Sequence, residues 1–196
     1  MSAKASLRRH FRPLRQTLLA SVEAAIVAQA RRHVAALLPA DRALGIYWPL
    51  PGEVDLRGLE MLLPGRLALP AIVPAEAGGE LGARLVFRPW RGGDPLEPDS
   101  CRIPAPLAGA GELPAQVLGL LLVPALACDA AGIRLGYGGG WYDRLRADPA
   151  WAQVPALAVL PRGCRVEQLP HDPWDVPLQG WIDEDGLGHS SCGKPS

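Results

Sequence analysis

Apolar residues recur at helical spacing through the first 38 positions: Leu7, Phe11, Leu14 and Leu18, then Val22, Ile26 and Val34. Pro13 lies inside that run, so the pattern predicts one N-terminal helix or two with a break near it. Beyond residue 38 the period changes. Residues 44–48 are a short apolar run closed by Pro49, Pro51 and Gly52, the pattern of a buried strand entering a loop. Asp55 is placed to cap a helix that reaches Leu63 and stops at Pro64-Gly65. Residues 67–73 and 84–90 read as strands separated by a turn-rich segment, 74–82. Proline and glycine are so dense over 91–114 that a long loop is expected there, and such loops are often functional. Residues 117–123, Val and Leu broken only by Gly119, form the clearest buried strand. A helix over 143–147 follows, then strands over 156–160 and 180–182. From Gly186 the chain turns polar, and 186–196 is expected to be a disordered tail.

Strands alternating with helices define an α/β fold: a mainly parallel sheet with helices on both faces. A chain of 196 residues, 48% hydrophobic, supports one sizeable core, so residues 1–185 are expected to form a single domain. No internal repeat is visible.

Composition narrows the partners. Lys+Arg and Asp+Glu both number 20, so no net field draws the chain to nucleic acid or to an anionic membrane; any anion site must be built locally. Lys4 and Lys194 are the only lysines, which makes Lys4 stand out. Cys101, Cys128, Cys164 and Cys192 show neither a Cys-x-x-Cys pair nor zinc-finger spacing, so disulfides and zinc are not expected and a cytoplasmic location is. No apolar run reaches the roughly 18 residues of a spanning helix. A monomer is expected.

The most informative segment runs from Val123 to Asp143, just past the best strand, where open α/β sheets place their ligands. Gly136, Gly138, Gly139 and Gly140 let backbone N–H groups approach a phosphate, and a helix starting near Gly140 would add its positive end. Arg134 offers a planar fork to phosphate oxygens. Asp143, in the first helical turn, would repel a bare triphosphate and makes chemical sense as a ligand to Mg²⁺. Taken alone, the same residues could close a tight turn with Asp143 as a first-turn charge; the loop is neither a Walker A nor a dinucleotide fingerprint.

Pro124, Ala127, Asp129, Gly132, Arg134, Leu135, Gly136, Tyr137, Gly138, Gly139, Gly140, Tyr142, Asp143 and Arg144 together resemble the signature of the 5-formyltetrahydrofolate cyclo-ligase family. The resemblance continues in order through Lys4-x-x-Leu7-Arg8, Tyr47-x-Pro49 with Glu53, Leu69-Pro70, Phe87-x-x-Trp90, Leu169-Pro170 and Asp175. It implies ATP-dependent closure of 5-formyltetrahydrofolate to 5,10-methenyltetrahydrofolate, with phosphorylation of the formyl oxygen and release of ADP and phosphate. ATP would be held by Lys4, Arg8, Arg134, Gly136, Tyr137, Gly138, Gly139, Gly140, Trp141 and Tyr142. The folate would meet Tyr47, Glu53, Trp90 and Tyr142, Mg²⁺ would be held by Asp143 and Asp175, and Arg134, Tyr142 and Asp143 would be the catalytic set. Lys4 and Arg8 in these roles also explain an Arg-rich start that could pass for a transit peptide. Cys128, Trp141, Cys164 and Trp174 depart from the family's usual residues. A glutamine is replaced at Cys164 and a histidine at Trp174, and His171 lies in a different register. These departures leave open a second expectation, a nucleotide- or folate-binding relative with little or no turnover.

Overall fold

A computed structural model describes residues 2–75 and 82–191. Helix α1 (Ala3–Leu37) is one continuous helix of 35 residues despite Pro13, roughly 50 Å long at 1.5 Å per residue. Its start is capped by Ser2, whose Oγ accepts from the Ala5 N–H at 3.3 Å. The strands that follow are β1 (Ala43–Gly45), β2 (Leu67–Pro74), β3 (Ala83–Trp90), β4 (Leu96–Pro98), β5 (Pro104–Pro106), β6 (Leu118–Pro124), β7 (Ala127–Asp129) and β8 (Arg134–Leu135). Two short helices, α2 (Trp141–Ala147) and α3 (Pro149–Ala152), lead to β9 (Ala156–Val159), β10 (Arg165–Val166), β11 (Gly180–Asp183) and β12 (Gly186–His189).

The central sheet has seven strands in the order β12-β11-β9-β6-β1-β2-β3. β2, β1, β6, β9 and β11 are mutually parallel, while β3 and β12 run antiparallel at the two edges. The mainly parallel α/β fold read from the sequence is therefore the fold observed, with antiparallel edges added. The chain leaves β1 toward β2 on one side and returns to β6 on the other, so the topological switch point lies between β1 and β6.

The two faces of this sheet are the two halves of the core. In β6, Leu120 and Leu122 enter one cluster and Leu121 and Val123 the other, the period-2 consequence of a strand buried on both sides. The same division separates Leu157 and Val159 from Ala156 and Ala158 in β9. The C-terminal part of α1, with Ile26, Ala30 and Val34, covers the face made of the larger residues. Leu145 of α2 and Trp151 of α3, with Phe11 from the start of α1, cover the other.

Several sequence expectations change in the structure. Asp55 does not cap an α-helix; its Oδ1 accepts from the Arg57 N–H at 3.0 Å and starts only a 3-10 turn, Arg57–Met61. Of the extended run at 44–48 only Leu44 and Gly45 belong to the three-residue strand β1, and the Ile46 N–H donates once more to the Ala68 carbonyl before the chain enters the loop that holds Pro49 and Pro51. The expected loop at 91–114 contains the β4–β5 ribbon, whose turn is built by Asp99: Oδ1 accepts from the N–H groups of Cys101 and Ile103. The tail does not begin at Gly186, since β12 pairs with β11. Ser190 is also fully buried, its Oγ donating to the Leu178 carbonyl at 2.7 Å. Residues 76–81 of the predicted turn and 192–196 of the predicted tail lie outside the described residues.

Candidate active site

Two adjoining cavities open beyond the carboxyl ends of β1 and β6. The first has about 830 Å³ of open space and is mainly apolar, lined by Tyr47, Trp48 and Leu50 after β1, Ile72 and Leu85 from β2 and β3, Pro124 at the end of β6, and Tyr137, Trp141 and Tyr142. The second, about 1340 Å³, is polar and lies between the start of α1, the glycine loop and residues 170–175. Arg134, Gly139 and Gly140 belong to both and form the passage between them.

The polar cavity gathers cations on a glycine floor. β7 and β8 pair as a hairpin that sets the loop's starting direction, held by Asp129, whose carboxylate accepts from the N–H groups of Ala131, Ile133 and Leu169. Gly138 has φ of +107°, a region that side-chain-bearing residues avoid, and this turns the loop across the cavity. A Cβ on Gly136 would lie 2.6 Å from Arg134 Nη1, and one on Gly138 3.5 Å from Arg8 Cζ, so the guanidiniums rest directly on the loop. Arg8 Nε donates to the Gly136 carbonyl at 2.8 Å, and Arg134 Nη2 donates to Asp143 Oδ2 at 3.0 Å. Lys4 Nζ is shared by Asp172 Oδ2 at 2.6 Å and Asp175 Oδ2 at 2.5 Å. Burial works against both charges in the Lys4–Asp175 pair. Hydrogen bonds to Asp172 and Asp175 nevertheless leave the lysine pKa raised, and those from Lys4 and the Asp172 N–H leave the Asp175 pKa lowered.

The apolar cavity carries a few polar groups on its wall. The Tyr47 and Tyr142 hydroxyls are buried without a hydrogen-bond partner, and burial raises both phenol pKa values, so each stays a protonated donor. Glu53 Oε2 accepts from the Leu50 N–H at 2.8 Å, while Oε1 has no well-formed partner. Burial raises the Glu53 pKa, and the Leu50 N–H, Tyr137 and Arg15 counter it. Asp99 lines this cavity from the β4–β5 turn; its Oδ2 accepts from the Ile72 N–H at 2.9 Å and fixes the turn, with Ile103, against β2.

The positions singled out in the sequence are distributed between these spaces. Lys4, Arg8, Arg134, Gly136, Gly138, Gly139, Gly140, Asp143 and Asp175 surround the polar cavity. Tyr47, Glu53 and Tyr142 line the apolar one, and so do Tyr137 and Trp141, which the sequence reading had placed with the nucleotide. Trp90 lines neither. It is 6% exposed and borders a separate shallow depression with Asp55, Arg57 and Glu60. The reason is strand direction: β3 is antiparallel, so Trp90 pairs with Leu67 at the amino end of β2, and it is Leu85, opposite Ile72, that reaches the cavity. Cys164 is buried beneath α1 and touches neither cavity, its thiol pushed up to about 11 by burial; Trp174 and His171 stand at the rim of the polar one. The sequence reading gave Arg144 a place in the signature but no role, and it missed Asp172, Asp99 and Arg15. Asp172 and Asp99 carry no periodic signal, and nothing local distinguishes Arg15 in a helix rich in arginine.

Arg134 and the glycine loop thus join a floor flanked by guanidinium groups to an apolar pocket at the switch point of an open α/β sheet, the place where enzymes of this architecture bind their ligands. Residues 1–182 match the model of the 5-formyltetrahydrofolate cyclo-ligase family, and the chain belongs to that family. It is 31% identical over 141 residues to the 5-formyltetrahydrofolate cyclo-ligase of Escherichia coli (strain K12), covering 69% of this chain and 74% of that protein. To the Haemophilus influenzae protein of the same name it is 29% identical over 180 residues, 88% of this chain and 92% of that one. The fold is similar to the NMR structure of Aquifex aeolicus 5,10-methenyltetrahydrofolate synthetase, with a TM-score of 0.71 and 24% identity over 100% of this chain and 96% of that one. A Mycoplasma pneumoniae 5,10-methenyltetrahydrofolate synthetase gives a TM-score of 0.69 at 18% identity, covering 93% and 99%.

Proposed function

We propose that this chain is an ATP-dependent 5-formyltetrahydrofolate cyclo-ligase, with the nucleotide in the polar cavity and the folate in the apolar one. The observation that carries the reading is the passage at Arg134: a single guanidinium with one face on the phosphate loop and the other in the apolar pocket, its Cζ 5.3 Å from the Tyr142 ring centroid. A γ-phosphate on the glycine loop and a formyl group in the pocket would meet there. Phosphoryl transfer to the formyl oxygen, attack by N10 on the activated carbon and loss of phosphate ask the protein for positioning and charge stabilisation rather than for a nucleophile. The loop amides, Arg8 and Arg134 supply that charge, and Lys4 would join them on exchanging Asp172 or Asp175 for a phosphate oxygen. The pocket supplies an apolar slot for a bicyclic ring, with the unsatisfied groups of Tyr47, Glu53 and Tyr142 to orient its polar edge.

Asp143 and Asp175 would hold Mg²⁺, which would neutralise phosphate charge when bound. Among the described residues no cluster of three or more His, Cys, Asp or Glu forms a metal cage. Two separate carboxylates in the nucleotide cavity fit Mg²⁺, which is usually held by one or two carboxylates together with phosphate oxygens and water. Among the described residues no helix is long and apolar enough to cross a membrane. The cytoplasm and a monomeric state remain our expectation.

The alternative of a binding protein without turnover is not favoured, because the family and the relatives that match the chain are cyclo-ligases. Of the two departures that motivated it, Cys164 lies outside both cavities, whereas Trp174 stands at the rim of the polar one. Purified protein given Mg·ATP and 5-formyltetrahydrofolate decides between the two. Release of ADP only when folate is present, with formation of the methenyl product, is the expected result; tight binding of both ligands without ADP would reject catalysis.

A further inference from the structure

Lys4, Arg8, Phe11 and Arg15 follow one another at helical spacing, so they share one face of α1. Lys4 meets the carboxylates at the cavity rim and Arg8 the glycine loop; Arg15 goes underneath. Its side chain is 2% exposed, which makes it one of the largest fully buried groups of the molecule. Nη1 donates to the Ala125 carbonyl at 3.0 Å and lies 3.9 Å from Glu53 Oε1, and Nη2 donates to the Tyr137 hydroxyl. The guanidinium also sits 5.4 Å from the Tyr137 ring centroid.

Burying a guanidinium in this way is unfavourable unless its contacts compensate, and here Nε has no partner while Glu53 Oε1 stays incompletely satisfied. An apolar side chain would serve packing as well. What the guanidinium adds is reach. Glu53 and the Tyr137 ring belong to the apolar cavity, but the Tyr137 backbone lies between Gly136 and Gly138, which wall the polar one.

We propose that Arg15 is a positioning residue that touches neither substrate yet aims Glu53 into the folate pocket and seats Tyr137, and with it the phosphate loop, through one guanidinium. This rests on the assignment of the two cavities given above. Removing the fork releases both partners at once, so both ligands should lose affinity although Arg15 lines neither cavity.

The test is equilibrium binding of 5-formyltetrahydrofolate and of a non-hydrolysable Mg·ATP analogue, followed by calorimetry across pH, in wild type, Arg15→Met, Arg15→Lys and Glu53→Gln. Arg15→Met is expected to weaken both ligands roughly tenfold. It should also move the acid limb of folate binding upward by roughly one pH unit or more, since Glu53 then lacks its neighbouring cation. The other groups facing Glu53 are the Leu50 N–H, Tyr137, Tyr47 and Tyr142, with Arg134 beyond them, and all of these are unchanged in the variant. Arg15→Lys keeps the charge and should restore the acid limb without restoring the nucleotide affinity. In Glu53→Gln the limb should be absent, and adding Arg15→Met should then weaken folate binding less than it does in the wild type, the remainder being the loss through Tyr137. A purely structural Arg15 would lower the melting temperature and leave the limb where it is; that result overturns the proposal. If Arg15→Met does not fold, Arg15→Lys decides, since wild-type affinity for both ligands in that variant also overturns it. Failure of the wild type to turn over would count against the catalytic reading alone, whereas failure of the wild type to bind either ligand would end both.

Discussion

At the residue scale, the two cavities differ in how their charges are satisfied. Lys4 is saturated by two carboxylates before any ligand arrives, whereas Tyr47, Glu53 and Tyr142 keep buried polar atoms in reserve. Tyr47→Phe should therefore leave unfolding stability unchanged or slightly raised, because the lost hydroxyl has no partner in the free protein, while folate binding weakens about five- to tenfold; urea titration and calorimetry read the two separately. The Lys4 clasp predicts a pH dependence. Asp175 titrates below its ordinary value of about 3.9, so its contribution to stability is complete above that value and fades as pH falls through the depressed folded-state pKa. The stability difference between wild type and Asp175→Asn should be constant from neutrality down to mildly acid pH and shrink in stronger acid. A difference that stayed constant to pH 2 would show that the carboxylate charge plays no part. Arg134→Ala removes the side chain at the junction and should lower kcat/KM for ATP by on the order of 10²-fold; unchanged kinetics would remove Arg134 from the site. The glycines, Arg134 and Asp143 were legible in the sequence because each does its work on adjoining residues. Arg15 and Asp172 were not, since the groups that meet their side chains come from distant parts of the chain: Ala125, Tyr137 and Glu53 for Arg15, and Lys4 for Asp172.

At the scale of elements, the instructive cases are those where local preference was overruled. Pro13 has no N–H to give, yet α1 passes through it unbroken, because Phe11 and Leu19 are both anchored in the core and tie the two halves to one axis. Pro13→Ala is expected to raise stability by about 1–3 kcal/mol with folate and ATP affinities unchanged. A fall in either affinity would mean that the proline shapes the helix for the site. Gly132 has φ of +86°, and a Cβ there would fall 2.2 Å from the Leu178 carbonyl oxygen. Gly132→Ala should destabilise the fold by roughly 2–3 kcal/mol or more, through strain and the displaced contact together. Gly138 has as unusual a φ but faces only the Arg8 side chain at 3.5 Å, so its replacement should affect nucleotide affinity more than the melting temperature. The ratio of the two effects in the two variants separates a structural glycine from one at the ligand.

At the scale of the whole molecule, the site exists because the order in which strands are added reverses between the parallel neighbours β1 and β6, and distant segments are thereby stacked over one end of the sheet. The edge strand β12 shows how far this reaches. Its pairing with β11 and the burial of Ser190 belong to a segment whose composition read as a tail. Deleting 186–196 should lower the melting temperature by roughly 5–10 °C, and an unchanged melt would show that β12 adds nothing.

By itself the sequence determined the α/β class, the main strands, the glycine loop and the family, since strand periodicity and glycine spacing act over a few residues and leave a local trace. Only the tertiary structure decided that β3 runs backward and takes Trp90 away from the site, that Tyr137 and Trp141 turn toward the apolar pocket, and that a helical arginine is buried beneath it. These are matters of strand direction and long-range approach. They depend on which segments pack together in the folded chain, and that information is not carried by any short stretch of it.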